Sequence, residues 1–151
     1  MNMVSDPNAA RKGWLSLLAK SPAADVATLW ADMTINPAHT LLRAPEIGGV
    51  MVRGRAGAIG AAFNLGEMTV TRASVKLADG TIGHGYVQGR GKDHALCAAL
   101  VDALMQTNAA EAVDAGLLAP LRNAMASCKT TRASKAAATK VDFFTMVRGE
   151  D

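Results

Sequence analysis

A chain of 151 residues buries one good core, so a single domain over 1–151 is expected. Half of it is apolar but only 4% is aromatic, and much of the apolar share is alanine, which suits helix packing better than a thick aromatic core. No run approaches the roughly eighteen apolar residues of a membrane span, no basic-then-apolar leader opens the chain, and Cys97 and Cys128 lack paired spacing; a cytoplasmic chain with reduced thiols and no metal site is the reading.

Asn8 can cap a first helix running to Lys20, with Trp14, Leu15, Leu17 and Leu18 as its apolar face and with order weakest, to the point of disorder, over about residues 1–13. Ser21-Pro22 reads as N-cap and N1 of a second helix, in which Val26, Leu29, Trp30 and Met33 recur at helical spacing until Asn36-Pro37 ends it. Short strands follow at Thr40–Arg43 and Gly49–Arg55. Two longer ones, Met68–Ala78 and Thr81–Gly89, flank Asp79-Gly80, the best hairpin signal in the chain. Met68, Val70 and Arg72 share one parity while Val75 and Leu77 take the other, which predicts a bulge or twist near Ala73-Ser74 or a sheet covered on both faces. In the last strand Gly83, Gly85 and Gly89 leave one side nearly bare, so another backbone or a ligand can come close. A strong helix is predicted from about Lys92 to Gln106, with Asp93 near its start and Leu96, Ala99, Leu100, Ala103 and Leu104 as its stripe. Residues 110–138 read as helical or partly disordered, broken around Gly116 and Pro120. The fold class is α+β: an N-terminal helical pair, an antiparallel meander with the Asp-Gly hairpin, then helices and an extended apolar tail.

That tail, 139–151, is unusual for a chain end. It holds two of the three phenylalanines. Burying Val141, Phe143, Phe144, Met146 and Val147 contributes about 2 kcal/mol each, and ordering 140–147 costs about 1–2 kcal/mol per residue. The sums nearly cancel, so the tail needs a surface that adds hydrogen bonds, on this chain or on a partner.

The net charge of +3 is unevenly placed: residues 40–100 carry seven Lys/Arg against four Asp/Glu, and 121–151 carry six against three. This favours an anionic ligand or partner, with solvated surface charge as the plainer explanation. Gly54-Arg55-Ala56-Gly57-Ala58-Ile59-Gly60 lacks the Gly-Lys-Ser/Thr ending of a phosphate loop and reads as a flexible inter-strand loop, with wrapping of anionic oxygens beside Arg53 and Arg55 as the alternative. His84, between two glycines, suits a core or interface position as well as a ligand contact; His94, near a helix start, can join Arg90 and Lys92 on an anion. No complete catalytic set emerges, so Arg72, His84, Arg90 and His94 form a candidate polar patch rather than an active site, and Phe143, Phe144, Met146 and Arg148 a candidate interface tail.

Three blocks carry a resemblance: Phe63-Asn64-Leu65-Gly66-Glu67-Met68-Thr69-Val70-Thr71-Arg72, Gly83-His84-Gly85-Tyr86-Val87-Gln88-Gly89-Arg90, and Lys140-Val141-Asp142-Phe143-Phe144-Thr145-Met146-Val147-Arg148-Gly149. In this order the chain resembles the PhnG family, the G subunit of the bacterial carbon–phosphorus lyase system, from about Trp14 to Gly149. It departs at Gly91-Lys92-Asp93, where an acid would follow the Gly-Arg pair directly; Asp93 is the candidate substitute. The resemblance implies phosphonate catabolism under phosphate starvation, in a core complex with H, I and J subunits. With H, I and L components, the complex joins methylphosphonate to the ribose C1′ of ATP and releases adenine. It implies no cofactor bound by this chain alone: ATP is a co-substrate of the complex, and the iron–sulfur cluster and S-adenosylmethionine belong to the J subunit. Two other classes compete, a stand-alone nucleotide-dependent transferase or nucleosidase with His84 or His94 as acid/base, and a small basic nucleic-acid binder. Weak charge excess and scarce aromatics disfavour the latter.

Overall fold

The computed structural model describes residues 8–57 and 59–141. The order is α1 (Ala9–Lys20), α2 (Ala23–Asp32), β1 (His39–Arg55), β2 (Ala62–Leu77), β3 (Ile82–Gln88), α3 (Lys92–Leu104), α4 (Ala110–Val113), a π-helical turn (Asp114–Leu118) and α5 (Ala119–Ala138). The α+β class holds, with a three-stranded antiparallel sheet in the order β1-β2-β3. Residues 9–13, read as part of a disordered lead-in, are the first turns of α1.

α3 is the centre of the molecule. The sequence suggests a one-sided amphipathic helix, yet ten of its thirteen residues are buried, because the sheet covers one side and α1 and α2 pack on the other. Its contact with β3 explains the glycines there. A Cβ on Gly83 would lie 2.0 Å from the Ala99 carbonyl oxygen, and one on Gly85 would lie 1.9 Å from that of Ala95. The bare strand face therefore receives another backbone, with Ala95, Ala99 and Ala103 as the matching small residues of the helix. Thr71, Ala73, Val75 and Leu77 of β2 share this inner side with Val87, and Val113, Leu117, Leu118 and Leu121 complete the core.

Several local expectations change. Ser21 does not cap α2; its hydroxyl donates back to the Leu17 carbonyl at 2.8 Å, and Pro22 takes the N-cap position. α2 stops at Asp32, before Asn36-Pro37, and Thr34 takes a left-handed conformation (φ 51°) at the position glycine usually fills. The two short strands before residue 56 are one strand of seventeen residues. Pro45 argues against this on sequence, but β1 is an edge strand, and between Arg43 and Glu46 its register slips by one residue against β2, so the missing N–H costs no ladder bond. The irregularity expected near Ala73-Ser74 lies on the β1 side of the ladder: β1 slips between Leu41 and Arg43 and between Arg43 and Glu46, opposite Val75-Ser74 and Ser74–Arg72, while β2 keeps an unbroken register with β3 from Val70 to Lys76 and Val70 stays on the Arg72 parity. The Asp79-Gly80 hairpin is as expected: Gly80 has φ 92°, and the Asp79 carboxylate accepts the Thr81 N–H at 2.9 Å.

The glycine loop after Arg55 joins β1 to β2, with the Gly60 N–H donating to the Ala56 carbonyl at 2.9 Å. Because β3 covers β2 only from Val70 onward, Gly49–Arg55 and 62–69 form a two-stranded ribbon beyond the body. It exposes Met51, Phe63 and Leu65, and the loop at its tip exposes Ile59, at 93%. Two strands alone are marginal in water. Past α4, the chain does not break at Gly116 and Pro120 as expected; it widens. Pro120 has no N–H, and its ring would press on the carbonyl of Gly116 in an α-helix, so one π turn absorbs the conflict before α5 continues. α5 is then an unbroken helix of twenty residues in which only Leu121 is buried. Among the described residues, no helix is long and apolar enough to cross a membrane. The tail residues Phe143, Phe144, Met146 and Arg148 lie outside the described residues.

Candidate functional site

One face of the sheet packs on α3, and alternation puts the other residues of β2 and β3 on the open face. His84 and Tyr86 of β3 are exposed there, opposite Ser74 and Arg72 of β2. β1 continues both rows, pairing Arg43 with Ser74 and Glu46 with Arg72. Two cross-strand rows result, Glu46–Arg72–Tyr86 and Arg43–Ser74–His84. The rows meet through Glu46: the Arg72 Nε donates to Glu46 Oε1 at 2.6 Å, and Arg43 hydrogen-bonds the same oxygen. First Arg43 and then Arg72 hold the Glu46 carboxyl below its ordinary value. In the second row the Ser74 hydroxyl lies 2.9 Å from His84 Nδ1.

The back of His84 is anchored by a group the sequence reading missed. Asp102 is fully buried on α3, and its carboxylate accepts the His84 backbone N–H at 2.8 Å. It also accepts from Arg11 Nε at 3.0 Å, Arg11 Nη2 at 2.7 Å and Trp14 Nε1 at 2.9 Å. Arg11 is held more firmly protonated by the hydrogen bond to Asp102 and by its charge, against the opposing effect of burial. One carboxylate thus ties α1, α3 and β3 together, with every buried lone pair engaged. The signal was legible: Asp102 is the only charged residue between Asp93 and Glu111, inside the apolar run Leu100-Val101-Asp102-Ala103-Leu104.

The structure divides the four-residue patch. Arg72 and His84 share the open sheet face, whereas Arg90 and His94 sit at the other side of α3. Gly89, with φ 89°, turns the chain out of β3, and the Thr71 hydroxyl holds its carbonyl at 2.7 Å. Arg90 then lines a cleft of about 760 Å³ between α2 and the start of α3, with Lys92, Asp93 and Trp30. His94 is 8% exposed, and its Nε2–H donates to the Leu18 carbonyl at 2.9 Å, satisfying a terminal carbonyl of α1. Burial lowers its pKa, and the Leu18 carbonyl partly offsets this. Asp93 sits in the first turn of α3, where its charge complements the helix dipole; no side chain caps that helix.

Cys97 is buried and its thiol is pushed up to about 12 by desolvation, so it is inert at neutral pH, while Cys128 is exposed on α5 beside a groove of about 700 Å³. Among the described residues nothing covers this sheet face, which offers two arginines, a hydroxyl–imidazole pair and a tyrosine able to hold an anion or a polar protein surface, and they build no walls there that exclude water from a reaction.

The chain matches the family model described as "Phosphonate metabolism protein PhnG" over residues 9–149. It is 42% identical over 143 residues, 95% of this chain and 92% of the relative, to the protein of Rhizobium meliloti (strain 1021) named alpha-D-ribose 1-methylphosphonate 5-triphosphate synthase subunit PhnG. The match covers the helices, both strands of the exposed ribbon and the Asp102 clamp alike. With nearly the whole fold accounted for in this way, the chain belongs to the PhnG family.

Proposed function

We propose that this chain is the G-type subunit of a multi-subunit α-D-ribose 1-methylphosphonate 5-triphosphate synthase in phosphonate catabolism. It supports a transfer in which methylphosphonate takes the ribose triphosphate of ATP and adenine leaves, and it acts with H, I and L components inside a core that also contains J. The chain's own contribution is contact and positioning. The observation that carries this is the near full-length match to a protein named as a synthase subunit, on a fold whose polar residues lie on an open sheet face. Arg72 and His84 supply a polar patch at a subunit interface or beside substrate. The tail, with Phe143 and Phe144 as anchors and Met146 and Arg148 beside them, docks on a neighbouring subunit.

The test is deletion of the gene, followed by growth with methylphosphonate as the sole phosphorus source. Growth is lost and returns with the intact chain; a chain ending at Ala138 folds but fails to co-purify with the other subunits. Adenine release from ATP and methylphosphonate appears only when those subunits are added. Release by the pure chain, or co-purification of the truncated one, refutes the reading or its tail.

A further inference from the structure

The two edges of the sheet are treated differently. At β3 two outward backbone groups are already occupied: the His84 N–H donates to Asp102, and the Ile82 carbonyl accepts from Gln106 at 2.9 Å and from Arg11 at 3.4 Å. Helix α1 lies against that strand. The β1 edge has no such cover: among the described residues, the backbone hydrogen bonds of β1 go to β2 alone. Its first half is blunted by Pro45 and by the slips at Leu41–Arg43 and Arg43–Glu46, devices that discourage pairing. From Glu46 to Val52 the register is unbroken, and the stretch Ile47-Gly48-Gly49-Val50-Met51-Val52 is apolar, uncharged and at most half-buried. An open edge of this composition is an aggregation hazard unless something pairs with it.

Charge decides what pairs with it. β1 carries Arg43, Arg53 and Arg55 against Glu46 alone, and that carboxylate already accepts from Arg43 and Arg72. Antiparallel pairing of two copies would gather six arginines around two engaged glutamates, which opposes a homodimer through this edge. We propose that the Ile47–Arg55 edge of β1 accepts, as a fourth strand, an extended segment of a different protein chain in which acidic residues stand among apolar ones. The backbone ladder supplies affinity, Ile47 and Met51 receive apolar side chains, and Arg53 and Arg55 select acids. This rests on the synthase-subunit reading and adds the mode and chemistry of one contact.

Amide hydrogen exchange, resolved along β1, tests it in the free chain and in the assembled synthase. In the free chain the β1 amides directed at β2 exchange more slowly than the alternate set, which exchanges fast. On assembly that alternate set slows at least about tenfold across 47–55. Reversing charge with Arg53→Glu and Arg55→Glu, both exposed, weakens assembly by about tenfold while the free chain's exchange pattern over 47–53 stays unchanged; Arg55 also donates to the Gly60 carbonyl at 3.2 Å, so any free-chain change is confined to that loop. An alternate set that stays fast in the assembled synthase overturns this proposal alone. Protection already present in the free chain also overturns it: loss on dilution assigns the edge to a second copy, and loss on removing 141–151 assigns it to the chain's own tail. A chain that never enters the assembly overturns the parent reading as well.

Discussion

Adding one methyl group to β3 should unseat the central helix. In Gly85→Ala the new Cβ would stand 1.9 Å from the Ala95 carbonyl oxygen and 2.9 Å from the Ala99 nitrogen. Carbon and oxygen need about 3.2 Å or more, so strand and helix must part by over an ångström along a contact that is otherwise close-packed. All the opposing atoms are α3 backbone, so no truncation on the helix can relieve the clash. Overpacking a core commonly costs about 1–3 kcal/mol, and backbone against backbone belongs at or above the top of that range. With a urea m-value of about 2 kcal/mol/M, a 3 kcal/mol loss moves the midpoint down by about 1.5 M, readable by circular dichroism. Gly66→Ala is the control, since nothing lies within 4 Å of its Cβ position; it should stay within about 0.5 kcal/mol. A Gly85→Ala midpoint within error of the parent would show that α3 does not rest on β3 in this way.

Asp102→Ala leaves Arg11, Trp14 and the His84 N–H without their shared acceptor and should cost about 3–5 kcal/mol, a fall in Tm of about 10 °C or more; a fall under about 2 °C would mean the clamp adds nothing. Because His94 has a folded pKa below its free value of 6.5, it favours the folded state fully above that value. Stability should therefore drop as pH falls below about 6.5, by at most about 1.4 kcal/mol per pH unit until the folded pKa is passed, and His94→Gln should flatten this segment of the pH profile. A thiol reagent at neutral pH should label Cys128 alone in the native chain and both cysteines in urea; fast native labelling of Cys97 would contradict its burial. On the open face, Arg72→Ala and His84→Ala should each change stability by less than about 1 kcal/mol while reducing co-purification with the other synthase subunits; undiminished assembly would remove this face from the interface.

The elements with a strong local signature were legible in the sequence. Helical spacing located α1, α2 and α3, Asp79-Gly80 fixed its hairpin, and the glycines of β3 announced a close approach before its source was known. What failed depends on tertiary context. Pro45 reads as a strand breaker until the strand proves to be an edge with a slip beside it. α5 shows little apolar pattern, so the sequence left its order open, although its alanines favour helix. The candidate patch split because one positive-φ glycine, Gly89, redirects the chain between His84 and Arg90. The burial of Asp102 is readable from its place in an apolar run, but its partners are not, because Arg11 and Trp14 lie some ninety residues away. Side chains that meet only through the fold leave no spacing to read.

Past Leu121, the exposed part of α5 contains seventeen residues, about 25 Å of helix at 1.5 Å per residue. A rod of this kind keeps phase as well as distance. Removing one residue shortens it by only about 1.5 Å but turns everything beyond by about 100°, whereas removing four brings the azimuth back to within about 40° while shortening it by about 6 Å. With no acid from Ala115 to Val141, its surface imposes little local charge pairing to resist such edits, Arg122 on Asp114 being the bond that crosses from the π turn. The residue count of α5 thus sets the heading with which the chain reaches Thr139.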